Sequence, residues 1–512
     1  MNLFNRHIPL FVSLILYAVI WYLFNPTLGY MLDSDAVAYL TIAKRVADGD
    51  FLKSVNGLWS PLNSWFVAFF IRKGYDAWEV SKYLNFLFGL IILFQSYLLF
   101  ILFNIKKIGL YILQFALSIA MVYMVYFQMF GDVLQLIFVL TYLYLLWKKE
   151  NINISTTILY GVIMGFAVYA KAYSFLFFAV HWLFVLGYYY YQKKINLQKW
   201  ILNYAVGILS MLLIISPWSY LLYKKYHQFS LNGFAGKLNM SWYINSGKTF
   251  KSDIKILIPP VYDDSPSFWE DPYLTQDNLS TPFTSLKHFF KWALRIIHTC
   301  IMAVFCFQEI SFFSFAILFI AVYFYFFRKS KSNEDDKIKL LVLTICILPL
   351  GYLMMHIETR YIWLNIVLLM ILGAVCINDF YHNHYLQKGY KIVYLLLGLS
   401  FLVFPVFSFQ NLKNKNKDLF EIAAYLNQHN IHGKFTSNLD DAGRMWVVAY
   451  LSNNRFYTIE KNDFSEKELK NEIKQYGVEY YFLGMKKNNF NINIESMQFV
   501  GQTHDIKIYK IN

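Results

Sequence analysis

The sequence predicts a polytopic α-helical membrane protein with a small α/β unit at its C-terminal end. Three observations predict it. Hydrophobic residues fill 57% of the 512 positions and aromatic residues 20%, with a mean hydropathy of +0.39. The apolar residues gather in runs long enough to cross a hydrocarbon core of about 30 Å. After about residue 411 the composition turns to charged helical and short strand-like stretches. The formal net charge is +14, from 46 Lys+Arg against 32 Asp+Glu. A nucleic-acid partner would need cations clustered on a water-facing surface. Many of these sit in short loops between apolar runs, a pattern set by membrane topology and anionic lipid.

Eleven crossings are expected, over about 8–25, 83–103, 109–126, 132–147, 156–171, 174–191, 200–222, 298–327, 338–355, 361–379 and 391–409. The first run follows "MNLFNRH" without a small-residue cleavage site and reads as a retained helix. With the N-terminus in the cytoplasm, the cytoplasmic segments carry fifteen cations: Arg6, Lys106, Lys107, Lys148, Lys149, Lys193, Lys194, Lys199, Arg328, Lys329, Lys331, Lys337, Lys339, Lys388 and Lys391. The short loops opposite hold only Lys171 and Arg360. The positive-inside rule therefore fixes the expected orientation. Three larger pieces fall outside the cytoplasm: 26–82, 223–297 and the tail. The run from Phe289 to Phe327 exceeds one span and is interrupted at Gln308–Glu309. The expectation there is that 285–307 lies partly in the interface and the span proper begins near Ile310.

The expected division is a transmembrane domain over 1–410 and a soluble unit over 411–512. In the tail, "KDLFEIAAYLNQHN" reads as an amphipathic helix and "SEKELKNEIKQYG" as a charged helix ended by glycine. "KFTSN", "FYTI", "VEYYFLGM" and "HDIKIYKIN" read as strands. Cys300, Cys306, Cys346 and Cys376 lie in or beside apolar runs without CxxC spacing, so they are expected to be packing residues.

Candidate chemistry lies on the external face. Asp33 and Asp35 follow the first run in "GYMLDSDAVAYLTIAKRVADGDF". A solvated loop is one reading. The other is an active site: in an extended segment, residues two apart point to the same side. "AVAYLTIAKRV" looks amphipathic, and Trp59 and Trp65 suit the headgroup zone. Lys171 is a lone cation in "GVIMGFAVYAKAYSFLFF", where snorkelling to headgroups competes with a functional role. "HIETRYIW" packs His356, Glu358, Arg360 and Tyr361 into one turn, readable as an internal ion pair or as a phosphate-binding Arg. Ser216–Pro217–Trp218 marks an expected kink, followed by Lys224, Lys225 and His227. Two carboxylates, Lys171 and Arg360 on one face suit a reaction with an anionic leaving group: cations hold the phosphate and a carboxylate takes a proton from a hydroxyl.

Five motifs in order carry a resemblance. Asp35 precedes Tyr39 by four residues, and Gly49–Asp50 follows. "SPLNSW" holds a Pro-Leu-x-x-Trp element; Gly165, Ala167 and Lys171 form Gly-x-Ala-x-x-x-Lys; Pro217–Trp218 and Glu358-x-Arg360-Tyr361 complete the set. Taken together they resemble the GT-C class of polyprenyl-phosphate-sugar glycosyltransferases, most of all the protein O-mannosyltransferase and aminoarabinose lipid A transferase superfamily. The likeness covers about 8–230 and 340–380. The usual Asp-Glu pair is here Asp33-Ser34-Asp35, and the prolines that often follow Glu-x-Arg-Tyr are absent.

The resemblance implies an inverting transfer of one sugar from a polyprenyl-phosphate carrier to a lipid, glycan or protein acceptor outside the cytoplasm. It implies Asp33 or Asp35 as base and Lys171 and Arg360 on the carrier phosphate, with Tyr39, His356, Glu358 and Tyr361 in support. Some members use a divalent metal, for which Asp33, Asp35, His356 and Glu358 are the candidate ligands. The Lys, Asn and Ile content suits an AT-rich bacterial genome and hence a bacterial inner membrane. Two other classes compete. A lipid or polysaccharide transporter or flippase predicts charges deep in several spans and related halves, and neither is visible. A non-catalytic assembly protein predicts tolerance of Asp35→Asn.

Overall fold

The structure, a computed structural model, describes residues 3–127, 131–149, 152–245, 255–276, 279–327, 333–439, 442–460, 464–485 and 497–511. It opens with α1 (Leu3–Leu28), followed by α2 (Ser34–Asp48), α3 (Phe51–Ser54) and α4 (Pro61–Ile71). A bundle comes next: α5 (Ala77–Leu102), α6 (Lys107–Phe127), α7 (Asp132–Lys148), α8 (Ile154–Ala170), α9 (Ser174–Tyr191) and α10 (Leu197–Tyr226). After α11 (Ala235–Ile244) come α12 (Leu286–Ile310), α13 (Ser314–Val322), α14 (Asn333–Ile347) and α15 (Leu350–Leu353). The last bundle helices are α16 (Leu364–His382), α17 (Tyr390–Ser400) and α18 (Val403–Leu412). The tail holds α19 (Lys417–Gln428), α20 (Ala442–Leu451) and α21 (Glu466–Tyr476).

Each of the eleven predicted runs is mostly helical. Among the described residues eight helices are long and apolar enough to cross a membrane. The other three predicted runs correspond to α7 and α8, at 17 residues each, and α14, at 15. A 17-residue helix is about 26 Å long, a shortfall that local thinning accommodates. Pro217 lies inside the continuous α10. The break near Ile310 falls where expected, at Ser311. However, the helix of spanning length and apolarity is α12, before the break, whereas Ser314–Phe327 is shorter. The basic residues early in α12 are used against other segments: Lys291 Nζ donates to Ile244 O at 3.1 Å and Arg295 Nε to Met355 O at 3.0 Å.

Small residues let the helices approach. A Cβ on Gly161 of α8 would strike Ser210 Cβ and come within 2.5 Å of Gly207 O in α10. Gly161→Ala is therefore expected to force the two helices apart and destabilise by about 1–3 kcal/mol. A lowered midpoint in detergent thermal unfolding checks it; an unchanged midpoint would show that α8 and α10 yield freely.

The tail forms a five-stranded mixed sheet, ordered β3-β2-β5-β7-β6, from β2 (Lys434–Ser437), β3 (Arg455–Phe456), β5 (Tyr480–Gly484), β6 (Gln498–Thr503) and β7 (Ile506–Lys510). β2 pairs parallel with β3 and β5, while β7 pairs antiparallel with β5 and β6. Gly477, at φ 61°, ends α21 in the left-handed region that glycine tolerates. Two elements add to the predicted set: α20 and β6. The tail is also stitched to the loops. β1 (Leu257–Ile258) pairs with β4 (Thr458–Ile459), Asn414 N donates to Thr27 O at 2.8 Å, and Asn416 Nδ2 donates to Leu32 O at 2.9 Å. The α2 segment, the 255–276 segment and the tail thus meet beyond the C-terminal end of α1. All four cysteines are free.

Candidate active site

The geometry starts at a helix terminus. Asp33 is the N-cap of α2: its backbone is extended (φ −110°, ψ 177°) and its Oδ1 accepts from Ala36 N at 2.7 Å. Asp35 sits in the first turn of that helix. The extended segment expected across both residues is thus corrected, because Asp33 ends it by capping. Both carboxylates nevertheless line one cavity of about 330 Å³, together with Glu358 and Arg360. Gly49, at φ 87°, ends α2 in the left-handed region. Asp50 follows and lies 3.7 Å from Arg45.

Arg360 is the cavity cation paired with the site's carboxylates. Its Nε donates to Glu358 Oε2 at 2.6 Å, and its Nη2 lies 3.7 Å from Asp35 Oδ2. Glu358 is held from both sides. Arg295 Nη2 lies 3.0 Å from His356 Nδ1 and can only donate, so His356 Nε2 carries the proton bonded to Glu358 Oε1 at 3.0 Å. Burial pushes the Glu358 carboxyl up, but His356 and Arg360 outweigh it and hold it at about 2. The two aspartates go the other way. Burial, then the like charge of Asp35, raises Asp33 to about 7. Burial also raises Asp35, against the pull of Arg360 and of a hydrogen bond from Trp269 Nε1 at 3.2 Å.

Lys171 caps the C-terminal end of α8 and does not line the cavity. Its ammonium is paired with Asp132, the first residue of α7, and lies 4.2 Å from the centroid of the Tyr361 ring. Burial lowers its pKa and Asp132 opposes that. The Arg360 guanidinium lies 5.1 Å from the same centroid, so Tyr361 joins the two cations. Tyr39 lies 5.4 Å from the Trp59 ring, and its carbonyl accepts from Ser64 Oγ at 2.8 Å. Ser60 Oγ accepts from Ala172 N at 2.9 Å, which ties the "SPLNSW" turn to the Lys171 turn.

Lys224 and His227 line neither of the cavities described here, and Lys225 is buried against Asp271 Oδ2 at 2.6 Å. Of the candidate metal ligands, Asp33, Asp35 and Glu358 line the one cavity. Among the described residues no group of three or more His, Cys, Asp or Glu is placed to hold a metal ion. His356 and Glu358 bond each other.

Four residues around the site were not read from the sequence. Asp132 had a signal, being an acid at a predicted helix start on the same face as Lys171. Lys415 and Arg444 line the cavity from the tail, and Trp269 reaches Asp35 from the 255–276 segment. None of these three has a local pattern that points to a site. A larger cavity, about 510 Å³, lies at the far end of α2 around Arg45 and Asp264; it is lined by Gly49 and Asp50 of the motif set but by none of the candidate site residues.

No family model matches the chain, and no curated protein does. Solved structures do match. ArnT from Cupriavidus metallidurans bound to undecaprenyl phosphate aligns with a TM-score of 0.57 and 13% identity, over 98% of this chain and 97% of that one. Its apo state aligns at 0.53 and 12%, over 96% and 97%. The chain has the ArnT fold. The multi-helix architecture with a small C-terminal α/β unit, expected from the sequence, is the architecture it adopts. The ArnT fold spans nearly the whole chain, including 230–340 and the tail, where the motif resemblance is thin.

Proposed function

We propose that the protein is a membrane glycosyltransferase. It moves one sugar from a polyprenyl-phosphate carrier to an acceptor hydroxyl, with inversion, on the extracytoplasmic face of a bacterial inner membrane. The observation that carries this is one cavity lined by two half-buried carboxylates with raised pKa and by Arg360, 3.7 Å from Asp35. The ArnT fold supports it, since a protein of that fold binds undecaprenyl phosphate.

In this reading the acceptor oxygen attacks the anomeric carbon as the bond from that carbon to the phosphate oxygen breaks. The acceptor proton passes to the Asp33–Asp35 pair, and the polyprenyl phosphate leaves with the bonding electrons. Arg360 and Lys171, both beside the Tyr361 ring, hold the phosphate. Each is neutralised by acids in the free protein, so phosphate binding exchanges one anionic partner for another. Inversion needs base and leaving group on opposite faces of the sugar, so a bound donor has to separate Arg360 from Asp35, which lie 3.7 Å apart in the free protein. His356 and Glu358 support Arg360, and Tyr39 underlies the base.

The test is binding of undecaprenyl phosphate to purified full-length protein. Arg360→Ala is expected to weaken it by 10-fold or more, and Lys171→Ala by less, because Lys171 lies outside the cavity. Unchanged binding in the double variant would remove the phosphate site.

A further inference from the structure

The cavity of about 510 Å³ at the far end of α2 is not used by the reaction at Asp33 and Asp35. It is nonetheless built by the same two helices as the candidate active site. α20 packs on α2. The starts of both helices border the active-site cavity, through Asp33, Asp35, Gly443 and Arg444. The end of α2 borders the larger cavity through Lys44 and Asp48, and the end of α20 runs into its opposite wall, Asn453–Arg455. One seam between α2 and the tail thus has a cavity at each end. Asp35 and Lys44 are about 14 Å apart along the α2 axis, at about 1.5 Å per residue.

The walls of this cavity are held in place. On one side Arg45 donates to both oxygens of Asp264 at 3.1 Å and to Glu270 Oε2 at 3.0 Å. On the other, Asn454 Oδ1 accepts from Gly433 N at 2.7 Å and its Nδ2 donates to Ile431 O at 3.1 Å. Arg455 N donates to Gly433 O at 3.1 Å. Arg45, Asp264 and Asp50 are paired with opposite charges, Asp50 with Lys53 at 2.9 Å. Lys44, Asp48, Asn453 and Arg455 differ: among the described residues their side chains have no hydrogen bond or ion pair within the protein. The unpaired set is therefore two cations, one carboxylate and one amide. A carboxylate accepts from hydroxyls, and an amide both accepts and donates. The two cations suit a carboxylate or a phosphate. Among the described residues no aromatic or large aliphatic side chain lines the cavity, so neither an acyl chain nor a nucleobase has a surface to cover.

We propose that this cavity is a second binding site, for a sugar that carries an anionic group, and that it holds the acceptor glycan at a ring remote from the reacting hydroxyl. The site itself stands on the cavity; its use for the acceptor rests on the glycosyltransferase reading. Lys44 and Arg455 bind the anionic group from α2 and from the tail, while Asp48 and Asn453 bind ring hydroxyls. The fixed walls mean that these groups are presented before the ligand arrives, which lowers the ordering cost of binding. The acceptor is then a glycan and not an isolated hydroxyl, because one molecule has to reach both ends of the seam.

The test titrates full-length protein in nanodiscs of zwitterionic lipid with trigalacturonate, glucose 6-phosphate, neutral maltotriose and inorganic phosphate, read by calorimetry. At least one acidic sugar is expected to bind about 10-fold or more tighter than maltotriose and inorganic phosphate. Which of the two does so separates a carboxylate from a phosphate. Lys44→Ala combined with Arg455→Ala is expected to weaken that binding by about 10-fold or more. The thermal midpoint is expected to stay in place, since neither side chain has a partner in the fold. Removing the same charge elsewhere on the tail, by Lys467→Ala with Lys474→Ala in α21, is expected to leave binding intact. Equal losses in the two double variants overturn the site, as do acidic sugars that bind no better than maltotriose or inorganic phosphate. The acidic sugar is also expected to inhibit transfer of labelled sugar from polyprenyl phosphate to an envelope glycan extract; binding without inhibition overturns the acceptor assignment. Failure of the glycosyltransferase reading shows separately, as no transfer to any extract. The acceptor assignment then falls with it, while the titrations still decide the site.

Discussion

Asp33→Asn and Asp35→Asn are each expected to lower sugar transfer by about 10²–10⁴-fold, the usual contribution of a positioned general base. The substitutions are nearly isosteric, so the loss reads chemistry. Asn at position 33 still offers a carbonyl to Ala36 N and is a good N-cap, so α2 starts as before. Asn at position 35 still accepts from Trp269, and only the charge facing Arg360 disappears. The measurement is transfer of labelled sugar from polyprenyl phosphate by reconstituted protein, with undecaprenyl phosphate binding as the control. Wild-type transfer by both variants would exclude the pair as base.

The same pair ties stability to pH. Asp33 titrates near 7 in the fold, above the ordinary carboxylate value of about 3.9. The folded state therefore binds the proton more tightly than the unfolded chain. The stabilisation from that proton is full below about pH 4 and is lost as pH rises through about 7. Asp33→Asn is expected to flatten this part of the pH–stability curve.

Arg45→Ala is expected to destabilise the fold by about 3–5 kcal/mol, the cost of stranding a buried charge. The Arg45 side chain is 5% exposed and its partner Glu270 is 1% exposed. Arg45 also donates to Asp264 Oδ1 and Oδ2 at 3.1 Å each and to Ser265 Oγ at 3.0 Å. Loss of the guanidinium leaves Glu270 with no counter-charge beside the turn that presents Trp269. A large drop in the thermal midpoint, with new protease cleavage within 255–276, checks the expectation. Replacing both partners, Arg45→Met with Glu270→Leu, is expected to recover most of the stability, since neither charge is then stranded. Equal stability of Arg45→Ala and wild type would show that water reaches Glu270.

Much of the architecture could be read from one residue to its near neighbours. A hydrocarbon core selects long apolar runs, so the bundle helices are written in composition alone. Gly477 and the amphipathic pattern of 417–428 act within a turn or two, so α19 and α21 were legible. α20 was not, because "AGRMWVVAYL" is short and apolar and is held by packing on α2 and β3. Among the candidate site residues, the carboxylates, Lys171 and Arg360 were legible because a charge stands out against an apolar background.

What these charges bond to was not. Asp132 lies 39 positions from Lys171, and Trp269 lies 234 from Asp35. No local pattern encodes such a pairing, since it depends on how three loop segments fold over the end of the bundle. By itself the sequence determined a multi-span helical protein with acids and cations at one end. The tertiary structure decided which acid faces which cation, that Asp33 caps a helix while Asp35 meets Trp269, and that the tail reaches the site. The physical reason is range: partition into a bilayer and helix capping act over a few residues, whereas burying a charge requires a partner that only the assembled fold can supply.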